Sequence, residues 1–199
     1  DAEIARILSE EGHVVSEQAA TSQGRDKNPN FRIWRVENLT ADLRKAGVIK
    51  GIQGELTKKY IPAIYLRSSI KQRKDLLAGL LDTDGDVKPD GTVRFRNANR
   101  QIAFAAYELA LSLGYRANLV EGVSKLYDKE FGPYWTISFH CAESPFRLSR
   151  KTKLFNERSK FVAERYRTRT IKKITRIAPQ RTRCIQVDSP NNMFLAGEN

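Results

Sequence analysis

The chain has 199 residues, 40% hydrophobic and 29% charged, which is a globular composition and excludes a disordered one. Lysine and arginine number 35 against 23 aspartate and glutamate, a net charge of +12, which points to a polyanionic partner, most often nucleic acid. Two cysteines, Cys141 and Cys184, and two histidines exclude a disulfide framework and a four-thiolate zinc site, no apolar run reaches the roughly 18–20 residues of a membrane span, and no signal-peptide pattern opens the chain, so a reducing, cytoplasmic protein is expected.

In chain order, Glu3–Glu11 reads as an amphipathic helix with Ile4, Ile7 and Leu8 on one face and Gly12 as its stop. Thr21–Asn30 is polar and loop-like, Phe31–Val36 a strand, and Leu39–Ala46 a helix ended by Gly47. Leu56–Leu66 carries Pro62. Ile70–Asp84 is the longest helical pattern, closed by Gly85. Thr92–Asn97 follows as a strand, then a helix over Asn99–Leu113 ended by Gly114. Arg116–Glu121 and Tyr134–Cys141 read as strands with Gly132-Pro133 between them, and Ser144–Tyr166 as mostly helix. Ile171–Ile177 and Cys184–Val187 have strand character, and Phe194–Ala196 is a short apolar end.

Three patterns carry information beyond secondary structure. The segment from Glu3 loosely matches the one from Gln101, each an amphipathic helix, a glycine and a strand, with Gly12 and Gly114 102 positions apart, which suggests an internal repeat. Alternation puts Thr92, Arg94 and Arg96 on one face of their strand and Val93 and Phe95 on the other. It likewise sets Tyr134, Thr136, Ser138 and His140 against Trp135, Ile137, Phe139 and Cys141. A sheet with one apolar and one basic, polar face suits reading of a DNA major groove, where arginine favours guanine. The charge is concentrated as well: between Arg147 and Arg183 stand 14 Lys/Arg and 2 Asp/Glu, so this stretch carries an excess equal to that of the whole chain. Such a stretch tracks phosphates without reading sequence.

The most specific segment is Leu77-Ala78-Gly79-Leu80-Leu81-Asp82-Thr83-Asp84-Gly85. Ala78 and Gly79 would let two helix backbones approach closely. A carboxylate then follows at the helix C-terminus, where the dipole disfavours an anion. A second carboxylate from a facing helix would worsen this. Divalent metal ions relieve both problems, and such a pair can run in-line phosphodiester hydrolysis. A calcium loop does not fit: counted from Asp82, position 6 is Val87 and position 12 is Val93.

This segment resembles the LAGLIDADG motif of homing endonucleases, differing only by Leu81 for Ile and Thr83 for Ala. Lys59-Tyr60-Ile61-Pro62 resembles the K-x-I-P block that precedes the second such motif in intein-borne enzymes. The resemblance implies an α+β fold of tandem αββαββα repeats around paired motif helices, with Asp84 as a Mg²⁺ ligand and Lys59 as an active-site cation. It implies double-stranded DNA as partner, with Arg94, Arg96, Asn97 and Arg116 as contact candidates on the sheet. By the repeat offset, a first motif is expected upstream of Asp1, so this chain is expected to supply one catalytic carboxylate.

Arg181-Thr182-Arg183-Cys184-Ile185-Gln186-Val187-Asp188, with Met193-Phe194-Leu195-Ala196-Gly197, resembles the penultimate splicing block of inteins, a strand pair of the β-rich Hint fold. The implied division is an endonuclease domain over 1–165 and a Hint segment over 166–199. Cys184 aligns with the nucleophile of class 3 inteins, and the context resembles inteins of bacterial replicative helicases. A thiolate is a good acyl acceptor. The resemblance further implies flanking host segments (exteins) and an N-terminal splicing domain as partners. The chain ends Glu198-Asn199, without the family's His-Asn pair, so splicing is expected of a parent protein and not of this chain alone. Two other readings fit the same motifs: a LAGLIDADG-fold nucleic-acid-binding protein without cleavage, and a splicing-only intein with an inactive endonuclease domain.

Overall fold

Helix boundaries follow local chemistry closely. A computed structural model describes residues 2–18, 33–49, 59–127, 129–159, 170–190 and 194, and divides the chain into two units, 1–62 and 63–199. In the first, α1 (Ala2–Glu10) ends where Gly12, at φ +93°, turns the chain; His13 N–H then donates to Leu8 O. Only glycine adopts that backbone without strain. Strands β1 (Val15–Gln18) and β2 (Ile33–Val36) pair antiparallel, Val15 opposite Val36, and α2 (Leu39–Lys45) follows. Ile49 and Lys59 form an isolated antiparallel bridge. The loop expected at Thr21–Asn30 lies outside the described residues.

The second unit begins with the short α3 (Ala63–Leu66), directly after Pro62. The long α4 (Ile70–Asp84) has the bounds its periodicity predicts. A capping box starts it: Ser69 Oγ accepts from Gln72 N–H, and the Gln72 side chain accepts from Ser69 N–H. Then come β3 (Gly85–Val87), β4 (Val93–Asn97), α5 (Arg100–Ser112), β5 (Asn118–Leu126), β6 (Lys129–Phe139) and α6 (Ser149–Arg158). The order from α4 to α6 is α-β-β-α-β-β-α. The four strands make one antiparallel sheet in the order β3-β4-β6-β5. The fold is therefore α+β, with two antiparallel sheets among the described residues.

The alternation read from β4 and β6 holds. Val93, Phe95, Trp135, Ile137, Phe139 and Cys141 are buried, and the residues between them are not. Leu77 and Leu81 of α4 and Leu109 of α5 complete this core, each fully buried. Burying one such side chain stabilises by about 1.5–3 kcal/mol. Ala103, Ala106 and Ala110 line the buried face of α5, and their small side chains let the helix lie close to the sheet. The opposite face of the sheet carries Arg94, Arg96, Asn118, Thr136 and Ser138, with Val120 exposed among them.

Three expectations need correction. Gly132-Pro133 does not separate two strands; it lies inside β6, and the hairpin turns after Leu126 instead. Gly132 takes φ +93° where the β5–β6 register slips between Val123 and Lys125, and Pro133 lies beyond the part of β6 that pairs with β4. A positive φ and a missing N–H are tolerated at such an irregularity, so turn-forming residues mark a bulge here. Ser144–Tyr166 is not continuous helix: Ser144–Leu148 is irregular around Pro145, and α6 begins at Ser149. Finally, residues 170–190 form no helix or strand. Ile171, Ile174, Ile177 and Ile185 are exposed there, Ile174 at 87%. A strand needs a hydrogen-bonding neighbour, and this segment belongs to neither sheet of the described residues. No helix among the described residues is long and apolar enough to cross a membrane.

Candidate metal centre and nucleic-acid interface

The end of α4 is built from alternately buried and exposed charges. Leu77, Ala78, Leu81 and Asp82 form the buried stripe of the helix. Asp82, only 6% exposed, therefore points inward. Both its oxygens accept the backbone N–H of Arg147 at 3.2 Å, and Oδ1 also accepts that of Leu148 at 3.2 Å. These amides lead into α6, whose N-terminal dipole favours a carboxylate. Asp82 is thus a structural anchor that ties the 141–148 loop to the motif helix.

The adjoining cation is Lys151, 8% exposed, whose Nζ donates to Leu81 O and Gly85 O at 2.7 Å each. It adds a buried donor where α4 passes into β3, at Gly85 O and at Leu81 O, which also accepts the N–H of Gly85. Burial, and then the neighbouring Arg150, push its pKa below the usual lysine value, while Asp82, Asp84 and Asp86 oppose the shift. The unfavourable dipole at this helix end therefore meets a resident ammonium. Gly85 itself is obligatory: a Cβ there would lie 2.5 Å from Leu81 O.

Asp84, one residue earlier, is exposed. Its Oδ2 accepts from Asn97 Nδ2 at 3.3 Å. Asn97 Oδ1 accepts the N–H of Asn99 at 2.8 Å, and Asn99 caps α5. That second bond fixes which end of the amide faces Asp84. Asn97, expected as a DNA contact, is thus a bridge from β4 to the motif carboxylate. Among the described residues no three His, Cys, Asp or Glu side chains cluster as a metal site. Asp84 offers a single exposed hard-oxygen ligand. That fits Mg²⁺, which is commonly held by one or two carboxylates while keeping waters and phosphate oxygens.

The polar face of the sheet continues from this point. Arg94, Arg116, Asn118, Thr136 and His140 line an open trough of about 520 Å³. Thr92 Oγ1 and His140 Nε2 lie 3.3 Å apart within it. Arg96, exposed and opposite Thr136, borders a second hollow with Asn97, Phe131 and Tyr134. Arg94 is not a loose cation: Nε and Nη2 donate to Asp86 Oδ1 and Oδ2, both at 2.8 Å.

The second unit brings together Asp84, Asn97, Arg94, Arg96 and Arg116. Lys59 belongs to the first unit, at its bridge with Ile49. Cys184 is exposed in the segment without regular structure. Sequence reading missed Asp82, Asp86 and Lys151. For two of these a signal is present: Asp82 falls on the apolar stripe of α4, and Lys151 on the stripe Leu148–Lys151–Phe155 of α6. A charge on an apolar stripe marks a buried, paired group.

No family model matches the chain. Over 161 residues, 81% of its length, it is 35% identical to the replicative DNA helicase DnaB of Mycobacterium intracellulare. The chain spans only 27% of the length of that relative. What it matches is therefore a segment of a replicative helicase.

Proposed function

We propose that the chain is part of an intein carrying a LAGLIDADG homing endonuclease, inserted in a replicative helicase of the bacterial cytoplasm. Residues 1–165 would be endonuclease and 166–199 the C-terminal part of a Hint splicing domain. One observation carries the reading. An exposed acid, Asp84, ends the helix that heads an α-β-β-α-β-β-α unit, and it is hydrogen-bonded to the strand that bears Arg94 and Arg96 on the polar face of the sheet. The similarity to a segment of a replicative helicase supports the host.

In this reading Asp84 would hold Mg²⁺, which would supply charge neutralisation at a scissile phosphate. Asn97 orients the carboxylate by donating to its Oδ2. The sheet arginines position duplex DNA. A second carboxylate comes from a first motif in the parent protein. Cys184 serves as acyl acceptor in splicing: its thiolate takes the acyl group of a peptide bond at a host–intein junction as a thioester, and the peptide nitrogen leaves as the amine.

The test uses the parent protein with a plasmid bearing the uninterrupted host-gene site, in Mg²⁺. Linear product is expected, and Asp84→Asn should lower the rate by about 10²–10³-fold or more, the scale for removing one preorganised electrostatic partner. Retained DNA binding without any cutting selects a binding protein of the same fold. The resident Lys151 favours that second reading, since it balances the end of α4 without a metal. Splicing that depends on Cys184, again without cutting, selects an intein with an inactive nuclease.

A further inference from the structure

Asp86 and Arg94 stand directly opposite each other on β3 and β4. Their side chains form a planar two-bond fork, both bonds 2.8 Å, on the polar face of the sheet. The pair is not buried: the side chains are 50% and 26% exposed. The bond pattern is selective. Asp86 takes the side-on edge of the guanidinium, Nε with Nη2. This leaves the end-on edge, Nη1 with the second hydrogen of Nη2, outside the pair. That edge carries two parallel donors, the pattern that matches O6 and N7 of guanine in the major groove. Arg94 also lines the trough with Arg116, Asn118 and Thr136. A long cation on such a surface ordinarily samples many orientations, and a bidentate partner removes that freedom before any ligand arrives.

We infer that Asp86 is a specificity-determining residue for duplex DNA, which presets Arg94 to read one guanine. The inference rests on the proposed DNA-binding role of this sheet and adds to it a residue that would touch no base. Its signature is a split between affinity and preference. An acid facing a phosphate-rich ligand costs overall attraction, so removing it raises general affinity while it loosens one base position.

The experiment selects duplexes from a random-sequence library with the parent protein, in EDTA to block cleavage, beside its Asp86→Asn and Arg94→Lys variants. The unaltered parent should enrich a motif containing a guanine preferred on the order of tenfold. Asp86→Asn should bring that one position within about twofold of the other bases, keep the rest of the motif, and bind non-specific duplex as well or better. Arg94→Lys, which keeps the charge and loses the fork, should flatten the same position. If Arg94→Lys flattens a position that Asp86→Asn leaves sharp, Asp86 is an ordinary cross-strand ion pair and the inference is overturned. If neither variant changes the motif, Arg94 reads no base and the inference is equally overturned. If the unaltered parent enriches no motif, the DNA-reading role of the sheet fails, and the role of Asp86 with it. Thermal melting of both variants separates these outcomes from loss of fold.

Discussion

Two charged regions of this chain differ in almost every physical respect. At the end of α4 the charges that the sheet and helices enclose are held by backbone partners. Lys151 holds two carbonyls, and Asp82 holds two backbone amides. Residues 170–190 carry five lysines and arginines, all exposed, beside isoleucines that are exposed as well. Charge buried with partners fixes geometry. Charge left in water fixes nothing locally but acts at a distance on a polyanion. The first region therefore governs where Asp84 sits, and the second, under the proposed DNA-binding role, would govern how strongly the chain is drawn to phosphate.

The sharpest way to test this division is to separate Asp84 from Lys151. Asp84→Asn should remove DNA cleavage and leave thermal stability near that of the parent, because Asp84 is exposed and an asparagine oxygen there can still accept from Asn97. Lys151→Met should do the reverse: a loss of about 1–3 kcal/mol, measured by chemical denaturation, from two buried carbonyls that lose their charged donor. Lys151→Arg should recover only part of this, since a planar fork does not match two carbonyls set for one ammonium. A stable Lys151→Met protein would mean that water reaches this helix end, and the contrast between the two regions would collapse.

Much of the second unit was legible because periodicity and burial agree there. The bounds of α4 and the two faces of β4 and β6 followed from spacing, and Asp84 stood out by its place in the motif. What escaped was long-range. Asp82 meets Arg147, and Lys151 meets Leu81, across more than sixty positions of sequence. No local pattern announces such a pairing, only the oddity of a charge on an apolar stripe. Gly132-Pro133 misled for a related reason. Turn chemistry reports a backbone that departs from the ladder, and a bulge inside a hairpin departs from it as a turn does. At Ile171–Ile177 and Cys184–Val187 the pattern of a strand is present, but a pattern forms a strand only beside a partner.

The basic segment can be broken without touching the fold. Substituting Lys172, Lys173 and Arg176 together by alanine should leave the melting temperature unchanged, since all three are exposed and lie outside regular structure. Duplex affinity should fall about tenfold or more at low salt. The slope of log affinity against log salt should become shallower by up to about 2.7, roughly 0.9 for each phosphate that is no longer neutralised. Sequence preference should not change, because binding to phosphate carries none. A change in preference without a change in slope would assign these residues to base reading and reverse the division of labour.

The smallest effect sits in the turn between β3 and β4, at the margin of the fixed region. Asp90 accepts the N–H of Thr92 at 3.0 Å and pairs with Lys88. Its pKa is lowered from 3.8 to about 2, first by hydrogen bonding from Thr92, its side chain and then its N–H, with the Lys88 contribution smaller. Because the folded value lies below the unfolded one, ionised Asp90 favours the folded state. The contribution is fully present above about pH 4 and is lost as pH falls toward 2. The turn is solvent-exposed, so the effect should be a few tenths of a kcal/mol, as for other exposed pairs. Denaturation of the parent and Asp90→Asn proteins should differ at about pH 6 and converge near pH 2. A difference that persists at the acid end would assign the effect to turn geometry, since asparagine and protonated aspartate then differ in shape and hydrogen bonding and not in charge.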